Sequence, residues 1–226
     1  MSLIDDLAAR LKQPLPGAEA QLKMSPTSAK ASARPLVRNA PADVRQAAAL
    51  ILLIPEHASE RRPGLQPRLD GGAEAPPYTI VLTERRHDLI HHPGQISLPG
   101  GGIDEGETAQ AASLREAEEE IGVDPSSVRV LGSLTPLYVI VSGFVITPFV
   151  GVVESRPVFR PEAREVAEIL EAPLGELLDP SRRRWGNRTR EGLVIDFPYF
   201  ALGNPPEHQV WGATAMILSE FVQLFR

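Results

Sequence analysis

The chain has 226 residues, with 23 Lys and Arg against 29 Asp and Glu, a formal net charge of -6 and a pI near 5.5. It is long enough to bury a substantial core. Its acidic balance argues against nonspecific binding to nucleic acid or to an anionic membrane, where a basic surface is expected. It contains no cysteine, which removes disulfides, thiolate metal sites and a cysteine nucleophile.

In chain order, the segment from Met1 to Gln13 places Ile4, Leu7, Ala8 and Leu11 at helical spacing, an amphipathic helix that docks on the body or on a second subunit. Docking on the body is the plainer expectation. The start lacks the basic and apolar regions of a signal peptide, and no apolar run approaches the roughly 20 residues of a membrane span. A soluble, cytoplasmic protein is therefore expected. From Pro14 to Ala42 proline, serine and alanine dominate, which suggests an extended arm. Ala47 to Pro55 reads as a buried strand, Glu56 to Pro77 as a hairpin-like loop and Tyr78 to Arg85 as a strand.

The most informative stretch begins at Gly101: GGIDEGETAQAASLREAEEEIGV. A turn rich in glycine and acid precedes a helix, and at about 100° per residue Glu116, Glu119 and Glu120 fall in one quadrant. Ala111, Leu114, Ala117 and Ile121 cluster on the other side, so one face is expected to pack while the other holds metal. Like charges at these spacings repel by a few tenths of a kcal/mol per pair. A hard cation such as Mg²⁺ or Mn²⁺ would offset that repulsion, although a bare acidic helix face is ordinarily just solvated. Beyond it, Val128 to Leu134, Phe144 to Glu154 and Glu165 to Pro173 read as strands and Ala213 to Phe225 as a closing helix, without internal repeats. Strands on both sides of a functional helix fit a mixed sheet between helices.

Gly101, Glu107, Arg115, Glu116, Ala117, Glu119, Glu120, Gly122 and Val123 follow the pattern G-x5-E-x7-R-E-U-x-E-E-x-G-U. The segment resembles the Nudix box, the motif of the Nudix hydrolases. The resemblance implies an α/β Nudix fold, a mixed β-sheet sandwiched between helices, with residues 1–42 as N-terminal helix and arm and 43–226 as the hydrolase domain.

Upstream, Leu82, Thr83, Arg85, Leu89, His92, Gly94, Pro99, Gly100 and Gly101 resemble the extra motif of the coenzyme A pyrophosphatase branch of that family, L-L-T-x-R-x-x-x-L-x-x-H-x-G-x-x-x-F-P-G-G. Val81 replaces its first leucine and Leu98 stands at its phenylalanine. Taken singly, each arginine reads as a surface residue and His92 as structural. At this spacing, Arg85 and Arg86 offer guanidinium forks to phosphate, and His92 can donate to one or fix the loop before Gly94. Ser142 to Gly151, Glu165 to Leu174 and Trp211 to Ala215 extend the likeness.

The resemblance implies attack of water on a diphosphate that links a nucleoside to another group, and for coenzyme A the products 3′,5′-ADP and 4′-phosphopantetheine. Glu116, Glu119 and Glu120, with the Gly100 carbonyl, would hold Mg²⁺ or Mn²⁺. Arg115 would pair with Glu107 to keep loop and helix in register, with Gly101 and Gly122 as structural glycines. Glu116 and Glu165 both remain candidates for the general base. The competing readings are a pyrophosphatase for ADP-ribose, a dinucleotide or a nucleoside triphosphate, a regulator that binds a nucleotide without cleaving it, and an interaction module built on the acidic helix. A homodimer is expected.

Overall fold

A computed structural model describes residues 2–28, 43–56, 77–89, 93–190, 192–203 and 207–225. The first helix, α1 (Leu3–Arg10), starts at Ser2, whose hydroxyl accepts the Asp5 amide while Asp5 returns the bond, a reciprocal cap. Ile4, Leu7 and Leu11 are buried against their own chain, so the N-terminal helix docks on the body. The expected extended arm is corrected in its described part: Gly17–Leu22 forms a second helix, α2, which packs on the last helix of the chain. Its two turns owe their position to tertiary bonds rather than to local propensity. After it comes the two-residue strand β1 (Thr27–Ser28). Of the arm, residues 29–42 lie outside the described residues.

The central strand, β2 (Arg45–Pro55), is buried on both faces, which explains its nearly unbroken apolar run. Its ends set the next connection. The loop expected from Glu56 to Pro77 is described only at its rims, where the Glu56 N–H donates to the Pro77 carbonyl at 3.0 Å and leads into β3 (Tyr78–Arg85). β4 (Ile96–Ser97) and β5 (Gly100–Gly102) follow, then α3 (Ala109–Ile121), β6 (Arg129–Ser133), β7 (Leu137–Val139), β8 (Phe144–Val152) and β9 (Val166–Pro173).

These strands form a mixed sheet. β2 runs parallel to β8 on one side. On its other side Leu53–Pro55 pair antiparallel with β3, and Ala47–Ala49 pair antiparallel with β5. The two neighbours therefore share one edge of β2 and part near Ile51. The pleat divides the core. Ala48, Leu50, Leu52 and Ile54 face Ala112, Ala117 and Ile121 of α3, while Ile51 and Leu53 join a second cluster with residues of α1 and of the closing helix.

The remainder is α4 (Leu174–Leu178), β10 (Arg183–Arg190), β11 (Leu193–Leu202), β12 (His208–Trp211) and α5 (Gly212–Gln223). The strands among these form, with β1, a second antiparallel sheet in which β11 is flanked by β10 and pairs with β1 and β12. None of this sheet was expected from the sequence. On α5, Glu220 is fully buried and accepts hydrogen bonds from the Gly17 amide, the Gln21 side chain and the Thr135 hydroxyl, at 3.0, 2.8 and 2.6 Å. That network ties α2 to the body. Among the described residues no helix is long and apolar enough to cross a membrane.

Candidate active site

Thr108 starts α3: its backbone is extended and its hydroxyl accepts the Ala111 amide at 3.2 Å. Gly122 ends it in the left-handed region, at φ 72°, where a side chain would also press against Arg160. The helix therefore runs for the whole length of the acidic segment. Its faces differ from the clean division expected. Ala111 is exposed, Ala112 takes its place in the core, and Glu120 belongs to the buried side at 6 % exposure. Periodicity fixes angles between residues on a helix but not the direction of the sheet, and here the sheet meets the acidic edge as well as the apolar one.

The turn before α3 is fitted to these carboxylates. A Cβ on Gly100 would lie 2.3 Å from the Ala48 carbonyl oxygen, so only glycine lets β5 approach β2 at this point. A Cβ on Gly101 would meet the Glu116 carboxyl at 2.5 Å. The Gly100 amide donates to Glu120 Oε2 at 3.3 Å. Burial, and then the nearby charge of Glu116, push the Glu120 carboxyl up to about 8, with Glu165 adding to the effect and Arg85 opposing it. Glu116 is also raised, first by burial, against the pull of Arg115. Two carboxylates thus sit together, and of the two Glu116 has a guanidinium in hydrogen-bond contact, that of Arg115, while Glu120 feels Arg85 only at longer range.

Arg115 ties the turn to the helix. Its Nε and Nη2 donate to the two oxygens of Glu107 at 3.0 and 3.1 Å, Nη1 to Glu116 at 2.9 Å and to Glu119 at 3.2 Å, and Nη2 also to the Gly102 carbonyl at 2.9 Å. The bond from Arg115 holds Glu107 below the usual carboxylate range. Glu107 in turn accepts the Asp104 amide at 3.2 Å, which closes the loop.

From the upstream motif, Arg85 lies on the α3 side of β3, with Nη1 3.9 Å from Glu165 Oε2. Glu165, 53 % exposed, stands just before β9 and close enough to raise both Glu116 and Glu120. Arg86 is engaged within the chain: Nε and Nη2 donate to both oxygens of Asp88 at 2.8 and 2.7 Å, and Nη1 donates to the Ala163 carbonyl at 2.8 Å. His92 lies outside the described residues. Gly94, at φ 64°, lies against the ring of His87, and His87 pairs with Glu84 at 3.1 Å. Asp88 was missed by the sequence reading, although its place two residues after Arg86 was the available signal.

The donor set suits a hard divalent cation. Glu116, Glu120 and the Gly100 carbonyl are oxygen donors; Glu116 is paired with Arg115, and the carboxyl of Glu120 accepts only the Gly100 amide among the described residues. Among the described residues no three His, Asp or Glu side chains are gathered as a ready cage, because Glu119 is turned to Arg115. Mg²⁺ commonly needs only one or two carboxylates, with water and substrate phosphate completing its shell.

The family model described as NUDIX domain matches residues 69–190. A protein named uncharacterized Nudix hydrolase NudL from Shigella flexneri is 36 % identical over 194 residues, which cover 83 % of this chain and 86 % of that protein. Its namesake from Pectobacterium atrosepticum is 37 % identical over 154 residues, covering 64 % of this chain and 74 % of its own. The crystal structure of the Nudix hydrolase RenU from M. smegmatis aligns with a TM-score of 0.41 at 24 % identity, over 56 % of this chain and 69 % of that one.

Proposed function

As the chain belongs to the Nudix hydrolases, which act on diphosphate bonds, we propose that it cleaves the diphosphate of coenzyme A or its derivatives to 3′,5′-ADP and 4′-phosphopantetheine. The hydrolytic part of this reading is carried by the meeting of Glu116, Glu120, Glu165 and Arg85 beside the Gly100–Gly101 turn. The choice of coenzyme A is supported by the run from Val81 to Gly101.

Glu116 and Glu120, with the Gly100 carbonyl, would hold Mg²⁺ or Mn²⁺, and Glu119, now bonded to Arg115, would be the third carboxylate. When bound, the cation neutralises nonbridging phosphate oxygens and lowers the pKa of the attacking water. Glu165 takes the proton of that water. It is the better placed of the two candidate bases, since about half of its side chain meets solvent while Glu116 is tied to Arg115 and packed on Gly101. Arg85 steadies Glu165 and faces the same space, where it serves the phosphates of the substrate, and the upstream motif gives His92 a like duty. A site with donors built for the 3′-phosphate rejects analogues that lack it.

Product analysis tests the proposal: the protein is incubated with Mg²⁺ or Mn²⁺ and coenzyme A, ADP-ribose, a dinucleotide or a nucleoside triphosphate, beside a Glu120→Gln control. Metal-dependent release of 3′,5′-ADP from coenzyme A in preference to the others is the expected result. Preference for another diphosphate would replace the substrate and keep the chemistry. No turnover of any would favour the nucleotide-binding regulator.

A further inference from the structure

Arg86 reaches the turn that carries Glu165 by two independent bonds. Its backbone N–H donates to the Glu165 carbonyl at 3.0 Å, one rung beyond the ladder of β3 and β9. Its Nη1 donates to the Ala163 carbonyl at 2.8 Å. Nε and Nη2 are held by Asp88 in a bidentate pair that fixes the guanidinium plane, and with it the direction of Nη1.

The other side of the same turn is fastened to α3. The Arg160 N–H donates to the Ile121 carbonyl and the Glu162 N–H to the Glu120 carbonyl, both at 2.9 Å. Within the turn, the amides of Glu165 and Val166 donate to the Glu162 carbonyl at 3.0 and 2.9 Å. The ladder shifts register beside it, with Glu84 opposite Glu168 but Arg85 opposite Val166. Such an irregularity re-aims side chains at the end of a strand. The Glu165 carboxyl is thereby presented to Arg85 and to the α3 carboxylates.

We propose that Arg86 is a positioning residue: Asp88 aligns its fork, and the fork holds the Ala163 to Glu165 turn so that Glu165 stands where the attacking water is deprotonated. The inference rests on the reading of Glu165 as proton acceptor. In this role Arg86 acts through Glu165 rather than on a substrate phosphate, with three of its five N–H donors engaged within the chain.

The test uses Glu165→Gln, Arg86→Ala, Arg86→Lys, Asp88→Asn and the double variant Glu165→Gln/Arg86→Ala. Steady-state kinetics are measured with coenzyme A, or with the diphosphate that product analysis selects, alongside amide hydrogen exchange over residues 162–166. Glu165→Gln should lower kcat about 100-fold. Arg86→Ala should lower kcat about tenfold with KM within about twofold, and the double variant should be no slower than Glu165→Gln alone. The amides of Glu165 and Val166 should exchange faster in Arg86→Ala. Arg86→Lys, which keeps the charge without the fork, should recover only part of the rate. Should Arg86→Ala not fold, Asp88→Asn carries the same kinetic and exchange readouts.

A large rise in KM with kcat kept would overturn the proposal in favour of substrate binding, and so would losses that multiply in the double variant or unchanged exchange over 162–166. Near-normal turnover in Glu165→Gln would remove the proton-acceptor reading and the proposal with it. Faster exchange in Arg86→Ala would then show that the strut had been identified correctly and only its purpose had not.

Discussion

Glu120 and Glu220 are both glutamates on helices and both almost wholly removed from water, at 6 % and 0 % exposure, yet their surroundings are opposite. Glu220 receives the Gly17 and Thr135 amides, the Thr135 hydroxyl and the Gln21 side chain. Among the described residues Glu120 receives one hydrogen bond, the Gly100 amide at 3.3 Å, and it faces the charges of Glu116 and Glu165. Burial of a charged group is costly unless hydrogen bonds or an opposite charge compensate it. Glu220 is compensated from within the fold and serves to hold it together. Glu120 has fewer partners within the fold, and under the proposed function a divalent cation supplies the rest.

The sharpest way to break the comparison is to neutralise each in turn. Glu120→Gln should abolish most turnover, by about 100-fold or more, while the folded protein survives, because the charge removed is one the fold does not compensate. Assays of product release beside thermal melting check this. Next in size is Gly101→Ala, whose new methyl would overlap the Glu116 carboxyl. Turnover should fall about 10- to 100-fold with a small change in Tm, and an unchanged rate would mean that the position of Glu116 is not critical.

Glu220→Gln should do the reverse of Glu120→Gln. It keeps the shape but turns one acceptor into a donor among donors, costing about 1–3 kcal/mol of stability while the activity of the folded fraction stays near normal. Denaturant unfolding gives the answer, and a loss of kcat with stability intact would collapse the distinction between the two acids.

A further effect expected is one of pH on the metal-free protein. Folded, Glu120 keeps its proton until about pH 8, whereas the unfolded chain releases it near 4.5. Between those values the folded state binds more protons, so this residue makes stability fall as pH rises through the window. Melting curves from pH 5 to 9 should show that decline in the wild type and less of it in Glu120→Gln.

The same contrast explains what the sequence could reveal. β2, β3 and β8 were legible because strands buried on both faces are written as apolar runs, and α3 because its acids and the closing Gly122 lie within one short window. α2 was not, since what fixes its six residues is Glu220, 199 positions beyond Gln21. β10 reads RRWGNRTR, which has no apolar alternation, and β11 contains Pro198, so the second sheet carries weak strand signals of its own. The acidic face was legible as a set of residue types but not as an orientation. That Glu120 faces inward while Glu119 faces Arg115 is decided by how α3 sits on β2 and β5. The grip of Arg86 on the Glu165 turn likewise joins strand ends far apart in the chain.

The central claim is that Glu120, buried beside Glu116, is compensated by a divalent cation, and calorimetric titration with Mn²⁺ between pH 6 and 9 addresses it most directly. Binding should tighten as pH rises through about 8, release a proton at the lower values and be greatly weakened in Glu120→Gln but not in Glu220→Gln. Binding of equal strength in Glu120→Gln and wild type, without proton release, would contradict the account.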